Sequence, residues 1–163
     1  WRYGSYLEVK SAQEHNKKPY EQFISMNFLI PKNVMLRLPF PENLHGWGHE
    51  DTLFGYILKE NNIPVIHIEN VVLHKGLSRT EEYLKKQENA IKQAIDLKEK
   101  YPFFEFRLTR FVDRIPYPLK FLLLTINGRG RSFVRFLCQI IPLASMLNFY
   151  KLLLYIHYSN NRQ

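Results

Sequence analysis

The sequence predicts an α/β unit followed by a basic helical tail, on three observations. Apolar runs of strand length, FISMNFLI (Phe23–Ile30), PVIHI (Pro64–Ile68) and VVLH (Val71–His74), stand between segments of another kind. Two of those segments carry apolar residues at helical spacing, Glu50–Asn61 and Arg79–Tyr101. The third observation is a change of character near residue 102. Residues 1–100 hold 14 Lys/Arg against 13 Asp/Glu, whereas residues 101–163 hold 9 against 2, so +7 of the formal net charge of +8 belongs to the tail.

The elements follow in order. Residues 1–22 are polar and aromatic and read as a short helix or ordered loop ending at Pro19. FISMNFLI is a strand closed by Pro31, and KNVMLRL has room for one or two helical turns. Pro39, Pro41, Gly46 and Gly48 then mark a loop. From Glu50, the apolar residues Leu53, Phe54, Ile57 and Leu58 line one helix face, and Asn61-Asn62 ends it. PVIHI and VVLH are short strands. Arg79–Tyr101 is a long charged helix packing through Tyr83, Leu84, Ile91, Ala94, Ile95 and Leu97, and Pro102 stops it.

The tail contains FLLLTI and FLCQIIPLASMLNFYKLLLYI, broken by Pro142 and studded with Arg129, Arg131, Arg135 and Lys151. Neither run offers the roughly 20 clean apolar residues of a spanning helix. Two readings stand: basic amphipathic helices lying on an anionic membrane surface, or a helical subdomain packed on the main body. The charge excludes nothing by itself, but no nucleic-acid-binding motif accompanies it, so no nucleic-acid partner is expected.

At 163 residues, with 45% hydrophobic and 15% aromatic content, the chain can bury a real core. Cys138 is the single cysteine, which excludes an intramolecular disulfide and a cysteine-based zinc site, and fits a reducing compartment. The chain opens on Trp1, in WRYGSY, with no signal-peptide pattern, and is expected to be an excerpt of a longer protein.

The stretch GWGHEDTLFG (Gly46–Gly55) concentrates the chemistry. Glu50 and Asp51 sit in the first turn of a helix, where the dipole favours negative charge. A carboxylate held there can accept a proton from a substrate hydroxyl. Trp47 offers a flat apolar face for a sugar ring, and its flanking glycines permit close backbone approach. The same residues also read as an acidic helix start with Trp47 as a core plug. His45 and His49 are four apart, but HGWGHE is neither HExxH nor HxxEH. His67 reads as a satisfied core histidine, and His74, at a strand end, as a candidate ligand.

The ordered series NFLIPKNVMLRLPF, GWGHEDTLFGYILKENNIPVIHI and NVVLHKGL resembles the second half of the family 2 glycosyltransferases of the GT-A (Rossmann-like) fold, closest to the bacterial branch that builds surface polysaccharides. The resemblance covers roughly residues 20–100. It implies that residues 1–101 are the C-terminal, acceptor-side part of such a domain; the basic apolar tail, 102–163, is read from its own charge and apolar runs. It implies inverting transfer of a sugar from a nucleotide-diphosphate sugar, a UDP-sugar foremost, to a hydroxyl of a glycan or lipid-linked acceptor. Asp51 matches the general base and Glu50 its partner on the acceptor. Gly46, Trp47, Gly48 and His49 match the acceptor pocket, and Asn27 the strand lining the sugar site. His74 matches a ligand of the divalent cation, Mn²⁺ or Mg²⁺, on the diphosphate. The family's DxD motif has no counterpart in this chain. The expected location is the cytoplasmic face of the plasma membrane, and the alternative is a non-catalytic carbohydrate- or membrane-binding module.

Overall fold

Helix α1 (Ala12–His15) starts where the sequence supplies a capping box. The Ser11 hydroxyl accepts from the Glu14 N–H (3.2 Å) and the Glu14 carboxylate accepts from the Ser11 N–H (3.3 Å). The computed structural model describes residues 10–41, 44, 48–70, 72, 78–141 and 143–161. Among these residues seven further helices follow: α2 (Lys32–Arg37), α3 (Glu50–Glu60), α4 (Thr80–Lys100), α5 (Arg107–Asp113), α6 (Tyr117–Ile126), α7 (Arg129–Ile140) and α8 (Ala144–Asn160).

The expected α/β, Rossmann-like GT-A architecture is not what these residues form: among the described residues there are helices and no strand or sheet. The reason is the absence of pairing. FISMNFLI turns at Ser25–Asn27 instead of running straight. Residues 63–70 are neither helix nor strand, although burial alternates with period two: Ile63, Val65 and His67 are half-buried, while Ile66 and Ile68 are 77% and 74% exposed. What they lack is a neighbouring backbone. One edge is occupied at His67 by the Asn16 side chain, which accepts from its N–H and donates to its carbonyl, both at 2.8 Å. A side-chain amide thus stands where a partner strand would bond. Of the third expected strand, Val71–His74, only Val72 lies within the described residues, and it is exposed and non-helical.

The two long helices expected from periodicity are present within a residue at each end. Helix α3 closes with Asn62 in the left-handed region (φ 55°). The Ile63 N–H bonds back to the Leu58 carbonyl (2.9 Å) and Asn62 N–H to Lys59 (3.0 Å), a Schellman closure. Helix α4 starts with the Glu82 carboxylate accepting from the Arg79 N–H (3.4 Å) and ends on Lys98 and Lys100, favourable at the negative end of the dipole.

Helix α8 organises the tail. Leu147, Tyr150, Leu152, Leu153, Leu154, Tyr155 and Ile156 are buried, an apolar belt most of the way around. It packs on α4, α5, α6 and α7. One core cluster joins Leu53 and Tyr56 of α3, the inner face of α4, Phe104, Phe106 and α8. A smaller one gathers Phe23, Val34, Phe54 and Leu58. Helix α3 lies between the two, and its N-terminus is thereby held from both sides. No helix among the described residues is long and apolar enough to cross a membrane.

Candidate functional site

The chain enters α3 through two unusual backbone positions. Gly48 has φ 108° and His49 φ 68°, both in the left-handed region. A Cβ on Gly48 would stand 2.7 Å from Cβ of Ala90, so Gly48 is seated directly against α4. The His49 ring packs on Phe106 (centroids 5.2 Å) and Phe104 (6.0 Å). Burial, and then the charge of Lys151, push its pKa down to about 4, so it is a neutral, packed ring at pH near 7.

Glu50 and Asp51 follow as the first two residues of α3, half-buried. An acidic helix start would spend its carboxylate oxygens on the free N–H groups of the first turn. That does not happen here. Oε2 of Glu50 and Oδ1 of Asp51 are buried without any hydrogen-bond partner. Each such oxygen costs about 1–3 kcal/mol relative to a satisfied one. Two adjacent acceptors of this kind stand at the start of a helix packed between two apolar clusters.

The other expected site residues divide into three groups. Gly48 and His49 adjoin the pair, but they are held by packing on Ala90 and Phe104/Phe106. Asn27 is exposed and lines an open, largely apolar groove of about 770 Å³ with His15, Phe28, Leu58 and Ile66. That groove sits at the far end of α3. Leu58 is eight residues from Glu50, about 12 Å along the axis at ~1.5 Å per residue, so Asn27 and the carboxylates are not brought together. Gly46, Trp47 and His74 lie outside the described residues, as does His45. Among the described residues no three His, Cys, Asp or Glu side chains converge on a common point. His74, the expected ligand of Mn²⁺ or Mg²⁺, falls outside them.

His67 is satisfied, as expected of it, but on a surface strip and not in a core. Its Nε2–H donates to the Pro19 carbonyl (3.0 Å), and its ring lies on His15 (5.0 Å). Sequence reasoning missed a polar cluster between α4, α7 and α8. There Tyr158 donates its hydroxyl to Glu88, and Lys92 stands 3.5 Å from the same oxygen. It also missed the paired bonds from Arg110 to Glu21 (2.7 and 3.1 Å) that tie α5 to the N-terminal turn. Partners 70 and 89 residues apart give no linear signal of either. No family model, curated protein or solved structure matches this chain.

Proposed function

We propose that this chain carries the acceptor side of an inverting glycosyltransferase, with Asp51 as general base and Glu50 as the residue that holds the acceptor. The observation that carries the reading is the pair of buried, unpartnered carboxylate oxygens at the start of α3, in the GWGHED context whose resemblance pointed to that role. Asp51 takes the proton of the acceptor hydroxyl. The freed oxygen attacks the anomeric carbon of the nucleotide-diphosphate sugar, the bond to the diphosphate breaks on the opposite face, and the diphosphate leaves with the electron pair. Glu50 accepts from a neighbouring hydroxyl and fixes the attack angle. A UDP-sugar and a divalent cation on its diphosphate belong to the proposal, the cation supplying charge neutralisation on the leaving group.

The test is UDP release from a panel of UDP-sugars with oligosaccharide acceptors. Asp51→Asn should lower turnover by about 10²–10⁴-fold while nucleotide binding persists. Undiminished turnover in that variant removes Asp51 from the chemistry. Glycan binding that Asp51→Asn abolishes, with no turnover by the complete protein, supports the non-catalytic binding module instead. Stability separates both from a plain helix start. Glu50→Gln should be neutral or stabilising if the oxygen is orphaned, and destabilising by about 0.3–1 kcal/mol if its charge serves the dipole.

A second reading, placement on an anionic membrane at the cytoplasmic face, is favoured by the outer surface of α6 and α7. Phe121, Leu122, Phe133, Phe136 and Ile140 are all exposed there, with Phe133 at 60%. Exposed apolar side chains of this kind on a basic tail fit insertion between lipid headgroups.

A further inference from the structure

Helix α7 is amphipathic with its polarity reversed. Phe133, Phe136 and Ile140 face outward, while Arg131 and Arg135 share the inner stripe with buried Val134 and Cys138. Turning guanidinium groups inward costs solvation energy unless an anion or acceptor meets them. Among the described residues no group does so fully. Nη1 of Arg131 and Nε of Arg135 are buried and have no acceptor. The two residues, one helical turn apart, line a cavity of about 140 Å³ with Ser132, Tyr150 and Glu88.

Glu88 is the acid in that lining, and its charge is already in use. Burial pushes its carboxyl up, but the Tyr158 hydroxyl, Lys92 and Arg135 together hold it below the usual carboxylate range. The Tyr158 hydroxyl donates to Oε1, and Lys92 Nζ lies 3.5 Å from that atom. Glu88 thus stands against the three cations Lys92, Arg131 and Arg135, which leaves this cluster net positive. Arg131 is further fixed over the Tyr158 ring (6.0 Å). Burial and Glu88 raise the Tyr150 hydroxyl to about 12, so it stays protonated and offers a donor. At about 140 Å³ the cavity is well above the ~10–15 Å³ on the same measure that a single water needs, and so has room for a phosphate group.

We infer that the cavity between α4, α7 and α8 is a phosphate-binding site, in which Arg131 and Arg135 donate to the phosphate oxygens and Ser132 and Tyr150 complete the donor set. The site is separate from the carboxylate pair on α3 and does not rest on the glycosyl-transfer reading. The phosphate can belong to a soluble phosphoester or to a lipid headgroup, and the experiment distinguishes them.

The first arm follows the Tm of the 163-residue chain against inorganic phosphate at constant ionic strength set with chloride. Above its Kd, phosphate should raise Tm by roughly 3–6 °C per tenfold increase. Arg131→Gln and Arg135→Gln should flatten the response, and Arg129→Gln should not. The second arm is co-sedimentation with phosphatidylcholine vesicles with and without phosphatidic acid. A response in the first arm supports a soluble phosphate. Binding that needs phosphatidic acid and is lost in Arg131→Gln and Arg135→Gln, without a response to inorganic phosphate, supports the headgroup. No response in either arm, or variants that respond like the parent chain, overturns the site. A readout without variants is the Arg135 Nε–Hε NMR resonance of the parent chain. It must move on titration with whichever phosphate source binds, and not with chloride; an unmoved signal also overturns the site.

Discussion

Gly48→Ala is the most demanding perturbation of the segment that presents the carboxylate pair. Two costs combine. At φ 108° a Cβ is strained whatever surrounds it, a penalty of about 1–3 kcal/mol. The new methyl would also lie 2.7 Å from Ala90 Cβ and 3.4 Å from its Cα, where carbon atoms prefer about 3.5–4.0 Å. Relieving that overlap means moving the loop or bending α4, at about 1–3 kcal/mol. Reduced freedom of the unfolded chain returns about 0.4–1 kcal/mol. The net expectation is a loss of about 2–5 kcal/mol, a large share of the 5–15 kcal/mol typical of a domain. Urea unfolding followed by circular dichroism measures it. Ala90→Gly separates the two costs. Alone it should lose about 1 kcal/mol of helix propensity. Combined with Gly48→Ala it should recover the overlap part, but not the backbone part. An unchanged midpoint for Gly48→Ala, or strict additivity in the double variant, would refute the contact between the GWGHED segment and α4.

Three further outcomes are expected. His49 titrates at about 4 when folded, against 6.5 in an unconstrained chain. Its contribution is therefore complete above pH ~6.5 and is lost as pH falls towards 4, to the extent of about 3 kcal/mol. His49→Asn, which tolerates the left-handed backbone, should flatten the pH dependence of the urea midpoint in that window, and an unchanged slope would contradict the buried neutral ring. Arg110→Ala should cost about 1 kcal/mol at low salt and less at high salt, since both partners of the Glu21 pair are about a third exposed; a salt-independent loss would point to packing instead. Phe121→Ser, Phe133→Ser and Phe136→Ser should each leave stability within about 0.5 kcal/mol while weakening binding to anionic vesicles at least about tenfold, given the 1.5–3 kcal/mol of burying such a side chain. Vesicle binding that ignores all three would remove the membrane reading.

The carboxylate pair was legible because its signals are local. Glu50-Asp51 ahead of a helical apolar pattern fixes a helix start, and Asn61-Asn62 fixes its end. The reason for Gly48 was not legible: close approach to a ligand and close approach to Ala90 demand the same residue. Nor could the sequence separate a carboxylate that caps its helix from one left without a donor, since both occupy the same first turn.

By itself the sequence determined where α3 and α4 begin and end, because capping, dipole and periodicity act over a few neighbouring residues. It expected a strand over Pro64–Ile68, where the structure has neither strand nor helix. Whether an extended run becomes a strand was a tertiary matter, since a ladder needs a second backbone, and at His67 the Asn16 amide takes that place. The rotation of α7 was likewise decided by packing. Its pattern marks one basic and one apolar face, but only contact with α4 and α8 settled that the arginines turn inward and the phenylalanines outward. A helix's amphipathicity is a local property, whereas the direction it faces depends on every neighbour it must pack against.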